Sequence, residues 1–452
     1  MWRRRCPFSS ATRRSSSTER CLPSTAASSR RGDQNQPPSA RPELVEGPFF
    51  SCSRARRKGS PSTSSGRTEL VMTAVWQDRL DHLKSVIEAD IANDDYYGVV
   101  LRVARGGTVV FDEAIGHAYS GGKRPLKKDD VFSLFSVTKA FTNVLIMRAI
   151  EEGRFQLTTK VKDILPEFTG KPREDATFFH LITHQAGMPG VWSPKPGMFL
   201  DRLQELFDES IAHVHGTSQP GEKSDYSPLV NHVLMGMALV RTDPKGRNYQ
   251  TLLHEDLFAP LGMDSTAMGL RQDLDARHVR PDMRGTVPIK HLSRNIEGDH
   301  ALFEDPEVEA PHVGCASTCG DLWRFAEMLR REGELDGARI LSPRMVRLAR
   351  KVHTGDKPNE LYKGVALRAG WEVPPANQGL GFQVRGSGVF QHLFGQLASP
   401  ETFGNYGAGS TMFWIDPEAD VTFSFLSAGV MTQAANIERC GKLSDIALSA
   451  ML

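Results

Sequence analysis

Strand-forming sequence is confined to two places far apart in this chain, and that separation limits the folds open to it. Gly98–Ala104 and Thr108–Ile115 are apolar, β-branched runs joined by Arg105-Gly106-Gly107. Gly-Gly between two such runs signals a tight hairpin. Met412–Ile415 and Val421–Leu426 flank Asp416-Pro417-Glu418-Ala419-Asp420 and read as a second antiparallel pair. Helical signals lie between and around them. Gln77–Ala92 carries Leu80, Leu83, Val86 and Ile87 at helical spacing. A helix is expected from near Ser136 to Glu152, with Gly153 at its C-terminal cap and Val137, Phe141, Val144, Leu145 and Ile150 on its buried side. From about 160 to 345 the text is helical pieces broken by Pro and Gly, and 432–451 reads as a closing helix. The expectation is an α+β fold: one antiparallel sheet built from N- and C-terminal segments, with flanking helices and a mostly helical middle part. The α/β part then covers about 72–155 and 345–452, and the helical part about 156–344.

The net charge of +1 averages two unlike pieces. Residues 1–66 hold 13 Lys/Arg against 4 Asp/Glu, and the remainder holds 42 against 50. A mildly acidic body does not suit phosphate neutralisation, so no nucleic-acid partner is expected. Residues 1–71 form a Ser/Arg-rich leader without apolar periodicity, a composition expected to be disordered. Its start lacks the apolar run of a secretory signal, which points to a cytoplasmic location; an organellar leader is the alternative. Pro42–Gly47 and Pro61–Gly66 are encodable by complementary DNA strands, which suggests that the natural chain starts near Met72. No stretch approaches the ~20 apolar residues of a membrane span. Cys315 and Cys319 sit one helical turn apart, but no zinc spacing occurs. They read as buried packing residues, and neither metal nor cofactor is expected.

The chemistry starts at Ser136-Val137-Thr138-Lys139, which puts a hydroxyl and an amine on one helix face. Serine needs a base to become a nucleophile, and lysine serves once burial or a neighbouring cation makes it neutral. A helix N-terminus adds backbone N–H groups for developing negative charge. Ser120-Gly121-Gly122-Lys123 has the same spacing, but in a glycine turn that cannot hold rigid geometry.

Phe132 to Phe141 closely resembles the active-site helix of class C β-lactamases and the penicillin-binding-protein-like serine hydrolases related to them, family VIII carboxylesterases included. The likeness continues in Leu157–Pro166, Leu181–Gly187, Pro220-Gly221 to Tyr226-Ser227, Pro260–Met263, Ser317-Thr318 with Asp321-Leu322, and Phe403–Ser410. It implies a β-lactamase/transpeptidase-like fold with Ser136 as nucleophile and Lys139 and Tyr226 as general base and acid. It further implies an oxyanion hole from the backbone N–H groups of Ser136 and Ala408, and substrate contacts at Asn405 and Gly407. Gly407 is expected to keep the backbone close to substrate, where a side chain would clash. Two positions depart from the family pattern. Pro228 stands where a Tyr-x-Asn motif has Asn, with Asn231 nearby, and Asn405 stands where Lys or His is usual. An uncharged Asn405 weakens recognition of the carboxylate of β-lactams and D-alanyl peptides.

The expected partner is therefore a small-molecule ester or amide, and the leading expectation is an esterase. A β-lactamase or D-alanyl peptidase, an acyltransferase using the same site, and a catalytically silent binding relative are the alternatives. His184, in a turn after a helix, reads as a structural hydrogen-bonding residue rather than a base. His254-Glu255 lacks the second His of a zinc-protease motif, and no Gly-x-Ser-x-Gly elbow or phosphate-binding glycine loop occurs.

Overall fold

The computed structural model describes residues 75–284, 293–297 and 301–452. The leader expected over 1–71 lies outside them. Helix α1 (Gln77–Ala92) buries Leu80, Leu83 and Ile87, the face that its periodicity marks out. Strands β1 (Gly98–Arg105) and β2 (Thr108–Gly116) follow, turned by Gly106 and Gly107 at φ +58° and +81°. Next come β3 (Val131–Ser133) and α2 (Thr138–Glu151), then α3 (Val230–Thr242). Short strands β4 (Ala267–Met268), β5 (His278–Val279) and β6 (Cys315–Thr318) precede α4 (Cys319–Arg330) and α5 (Glu360–Ala369). The chain closes with β7 (Gln383–Val384), β8 (Phe403–Gly407), β9 (Thr411–Asp416), β10 (Val421–Ala428) and α6 (Gln433–Ser449).

The main sheet is antiparallel with strand order β2-β1-β10-β9-β8-β7, so early and late segments meet at its centre. Their register runs from Gly98 opposite Ala428 to Arg105 opposite Val421. Alternation sends neighbouring side chains of β9 into different cores. Met412 and Trp414 join Leu80, Leu83 and Leu443 on the α1/α6 side, while Phe413 and Ile415 join Phe141 and Phe325 on the other. Two polar pins fix these layers: Trp414 Nε1 donates to Ser444 Oγ at 3.0 Å, and Trp323 Nε1 on α4 donates to Thr422 Oγ1 at 3.1 Å.

Helix α2 is buried nearly all round, with eleven of fourteen residues inside, so anything it carries is taken out of water. Burying Phe141, Val144, Leu145 and Ile146 contributes about 1.5–3 kcal/mol each, which offsets the cost of burying polar neighbours on the same helix. The helix does not begin cleanly at Ser136: residues Phe135–Val137 form a 3₁₀ turn, and the α-helix starts at Thr138.

The middle of the chain holds helices, Leu203–His213 and α3 among them, but also a second sheet of order β4-β6-β3-β5. Sequence patterning missed it. Its strands are two to four residues long, and Cys315–Thr318 is buried throughout, so no polar–apolar alternation exists to be read. Cys315 and Cys319 are free and buried, and burial raises both thiols, that of Cys319 to about 12. No helix among the described residues is long and apolar enough to cross a membrane.

Candidate active site

Ser136 is presented by a turn that the chain holds under strain. Phe135, the residue before it, has φ +52°, a region costly for a bulky side chain by about 1–3 kcal/mol. Three contacts hold it there. The Leu134 N–H donates to Cys315 O at 2.8 Å, Thr411 Oγ1 donates to Leu134 O at 2.8 Å, and the buried Phe135 ring lies 4.5 Å from that of Phe303. Strand β8 presses on the turn. A Cβ at Gly407 would come 2.4 Å from Leu134 O and 3.0 Å from Phe135 Cβ. The missing side chain of Gly407 thus leaves room for the turn carrying Ser136, and Gly407 also lines the opening beside it.

Lys139 is 3% exposed, and its Nζ lies 3.1 Å from Ser136 Oγ and donates to His312 O at 2.8 Å. It forms no ion pair with a carboxylate among the described residues, and burial holds its ammonium well below the usual lysine range. The carbonyl it meets belongs to a segment tied to the same helix. Thr142 Oγ1 donates to Pro311 O at 2.9 Å, and Thr138 Oγ1 accepts from the Cys315 N–H at 3.0 Å.

The Tyr226 hydroxyl donates to Ser136 Oγ at 2.7 Å, and the Tyr226 ring centre lies 5.2 Å from Lys139 Nζ. Burial pushes this phenol above the usual tyrosine range, partly offset by the bond to Ser136. His184 clamps the tyrosine from both flanks. Its carbonyl accepts the Asp225 N–H at 2.9 Å, its Nδ1 accepts the Ser227 N–H at 3.2 Å, and its ring packs 4.8 Å from that of Tyr226. Burial, and secondarily Lys139, push the imidazole down to about 3, so it stays neutral.

Ser136 stands where three openings meet. A narrow polar slot of about 40 Å³ runs past Lys139, Asn143, His184, Tyr226, Gln383 and Asn405. A wide cleft of about 270 Å³ is walled by Trp192, Tyr226, Leu361, Leu393, Met431 and Ile437. A small apolar pocket of about 10 Å³ lies between Phe135, Leu229, Phe303 and Val313. Ser136, Trp192 and Ala408 line both the cleft and the small pocket.

The sequence profile of the beta-lactamase family matches residues 83–439. The chain belongs to that family. It is 27% identical to penicillin-binding protein 4 of Amycolatopsis lactamdurans, over 66% of this chain and 75% of that one. It is 26% identical to the esterase/beta-lactamase LipL of Mycobacterium tuberculosis, over 75% of this chain and 80% of that one. Its fold matches a solved penicillin-binding protein homolog from Caulobacter crescentus with a TM-score of 0.65 and 24% identity, covering 84% of this chain and 99% of that one. As a member of the beta-lactamase family, the chain is a serine hydrolase.

Against this family frame, some sequence expectations change. Asn405 lines the slot, where its Nδ2 donates one hydrogen to Gly381 O at 3.2 Å and its Oδ1 faces the Gln383 N–H at 3.4 Å, so part of its amide is engaged within the protein. Asn231 does not replace the Asn lost at Pro228. It is 1% exposed, and its Nδ2 donates to Leu181 O at 3.0 Å in the core. Ser120–Lys123 is an exposed turn. Sequence reading also missed residues that the fold brings in. Asn143, one turn beyond Lys139 on α2, bonds Gly381 O at 2.8 Å and faces His232 Nε2 at 3.2 Å, and its place on that helix was a usable signal. Asn436 reaches the cleft from α6, with its Oδ1 accepting from the buried Arg439 at 2.6 Å. Trp192, Leu361 and Met431 sit in segments with no pattern that predicts convergence.

Proposed function

We propose that this protein is an esterase that passes the acyl group of a neutral, apolar ester through Ser136 to water. The supporting observation is the character of the openings at Ser136. Among the described residues, Lys139 is the only lysine or arginine lining any of them, burial holds its ammonium well below the usual lysine range, and the widest opening is mostly apolar.

The opposite displacement of the two protonic groups suggests their roles. Lys139, pushed down, is the base; Tyr226, pushed up and still protonated, is the acid. Ser136 Oγ attacks the ester carbonyl as its proton passes to Lys139 Nζ, and the oxyanion takes the N–H groups of Ser136 and Ala408. The C–O bond to the alcohol breaks as Tyr226 gives its proton to the departing oxygen, and the lysine ammonium restores the phenol. Water then attacks the acyl-enzyme by the same relay, releasing the carboxylic acid and Ser136.

Asn436 favours a second reading. Arg439 is 3% exposed, forms no ion pair with a carboxylate among the described residues, and donates to Asn436 Oδ1. This leaves the Asn436 amide as a polarised donor at the cleft, suited to an anionic group such as the carboxylate of a β-lactam or D-alanyl peptide. Turnover of p-nitrophenyl esters of rising chain length against a chromogenic cephalosporin tests the two. Ester kcat/KM should exceed the cephalosporin value by about 10²-fold or more, and efficient cephalosporin hydrolysis with esters no better reverses the ranking.

A further inference from the structure

We infer that the two apolar openings at Ser136 divide the ester between them: the small pocket takes the acyl chain and the wide cleft takes the alcohol. The substrate class is then a short-chain acyl ester, acetyl above all, of a bulky apolar alcohol. This rests on the esterase reading and adds to it which half of the ester goes where.

Connectivity and proton delivery decide the assignment. A carbonyl oxygen placed between the N–H groups of Ser136 and Ala408 leaves two substituents on the reacting carbon, and these must diverge into different openings. The departing alcohol oxygen has to reach a proton donor. Tyr226 lines the cleft and the slot but not the small pocket, and the cleft, about 270 Å³ against about 40 Å³ for the slot, is the one with room, so the alcohol points into the cleft. The acyl chain is left with the pocket between Phe135, Leu229, Phe303 and Val313.

Size then sets the chemistry. The pocket's open space of about 10 Å³ is that of a single water-sized group, which fits a methyl and crowds anything longer. Its inner walls are packed: Phe303 and Leu229 are nearly inaccessible, and the Phe303 ring lies tilted against that of Phe135, 4.5 Å away, while half-exposed Trp192 closes the outer side. Overfilling such a site forces strain. The cleft, with about 270 Å³, takes a bicyclic or branched alcohol, and release of that alcohol opens the same route for the deacylating water.

The test is a two-way ester matrix. Acyl length is varied from acetyl to hexanoyl on 2-naphthol, and alcohol size from methyl to naphthyl and menthyl on acetate, reading kcat/KM. We expect a fall of about tenfold for each methylene beyond acetyl, the scale for misfit in an apolar pocket, with no fall as the alcohol grows. Val313→Ala should raise the butyryl-to-acetyl ratio about tenfold, and Leu229→Ala should do the same. A ratio within one variant is unmoved by partial unfolding. Esters hydrolysed with a flat acyl profile, or with steep loss on enlarging the alcohol, overturn this assignment and leave the esterase reading standing. Hydrolysis of a cephalosporin but of no ester in the matrix overturns both.

Discussion

Behind Ser136 the slot is a closed hydrogen-bond network, whereas in front of it the cleft is apolar surface. In the slot, Asn143 and Asn405 both reach Gly381 O, Gln383 Nε2 donates to Ala376 O at 3.1 Å, and Lys139 is held on His312 O. In the cleft, Trp192 is half exposed, Leu361 and Met431 are partly buried, and the Tyr362 and Tyr406 rings stack 5.7 Å apart. Removing a slot side chain orphans a buried partner and misplaces a reacting atom. Trimming an apolar cleft side chain such as Leu361 or Met431 removes contact area alone. Slot changes should therefore act on kcat, and cleft changes on KM.

The sharpest break in that contrast lies at the serine itself. Ser136→Ala should lower single-turnover acylation by an activated ester at least about 10⁴-fold, the scale for removing a nucleophile that works as part of a unit. Lys139→Ala and Tyr226→Phe should each cost about 10²–10⁴-fold, with circular dichroism unchanged. Wild-type acylation by folded Lys139→Ala would remove the lysine as base, and the same result for Tyr226→Phe would remove the tyrosine.

The slot also predicts a pH response. Neutral Lys139 is the active form and its folded pKa is depressed, so acylation should rise with pH through that value and then level off. His184 and His392 are buried neutral, each pushed from 6.5 down to about 3 by burial. Between those values the unfolded chain binds more protons. Stability is thus fully present above about pH 6.5 and lost as pH falls toward 3, by up to about 1.4 kcal/mol per pH unit for each histidine. Urea unfolding from pH 8 to pH 4 measures this, and a flat profile would contradict the buried neutral assignment.

Smaller effects refine the comparison. His184→Ala should slow acylation about 10–10²-fold with KM little changed, because it frees the backbone on both sides of Tyr226. His184→Asn, which keeps an acceptor for the Ser227 N–H, should recover part of the loss. Met431→Ala should raise KM for a naphthyl ester about tenfold while kcat stays within threefold; a kcat loss as large as that of His184→Ala would erase the distinction between slot and cleft. Smallest of all, a chain beginning at Met72 should match the full chain in ester turnover and Tm, and a clear drop in either would show that the leader supports the body.

Local sequence carried a definable share of this. A three-residue spacing puts Ser136 and Lys139 on one helix face whatever surrounds them, and Gly106-Gly107 between β-branched runs specifies a hairpin by backbone sterics. The pairing of early with late strands followed from where the apolar runs lie. Other features had no local signature. The second sheet is built from strands too short and too buried to alternate. The downward shift of Lys139 depends on α2 being enclosed on nearly every side, and the reach of Tyr226 to Ser136 on a clamp from His184, forty-two residues earlier in the chain. That Gly407 also makes room for the Ser136 turn shows only in the atoms that packing places 2.4 Å from its missing Cβ. Spacing along a chain determines which groups share a face; desolvation and close approach arise from residues distant in sequence, and only the folded structure brings those together.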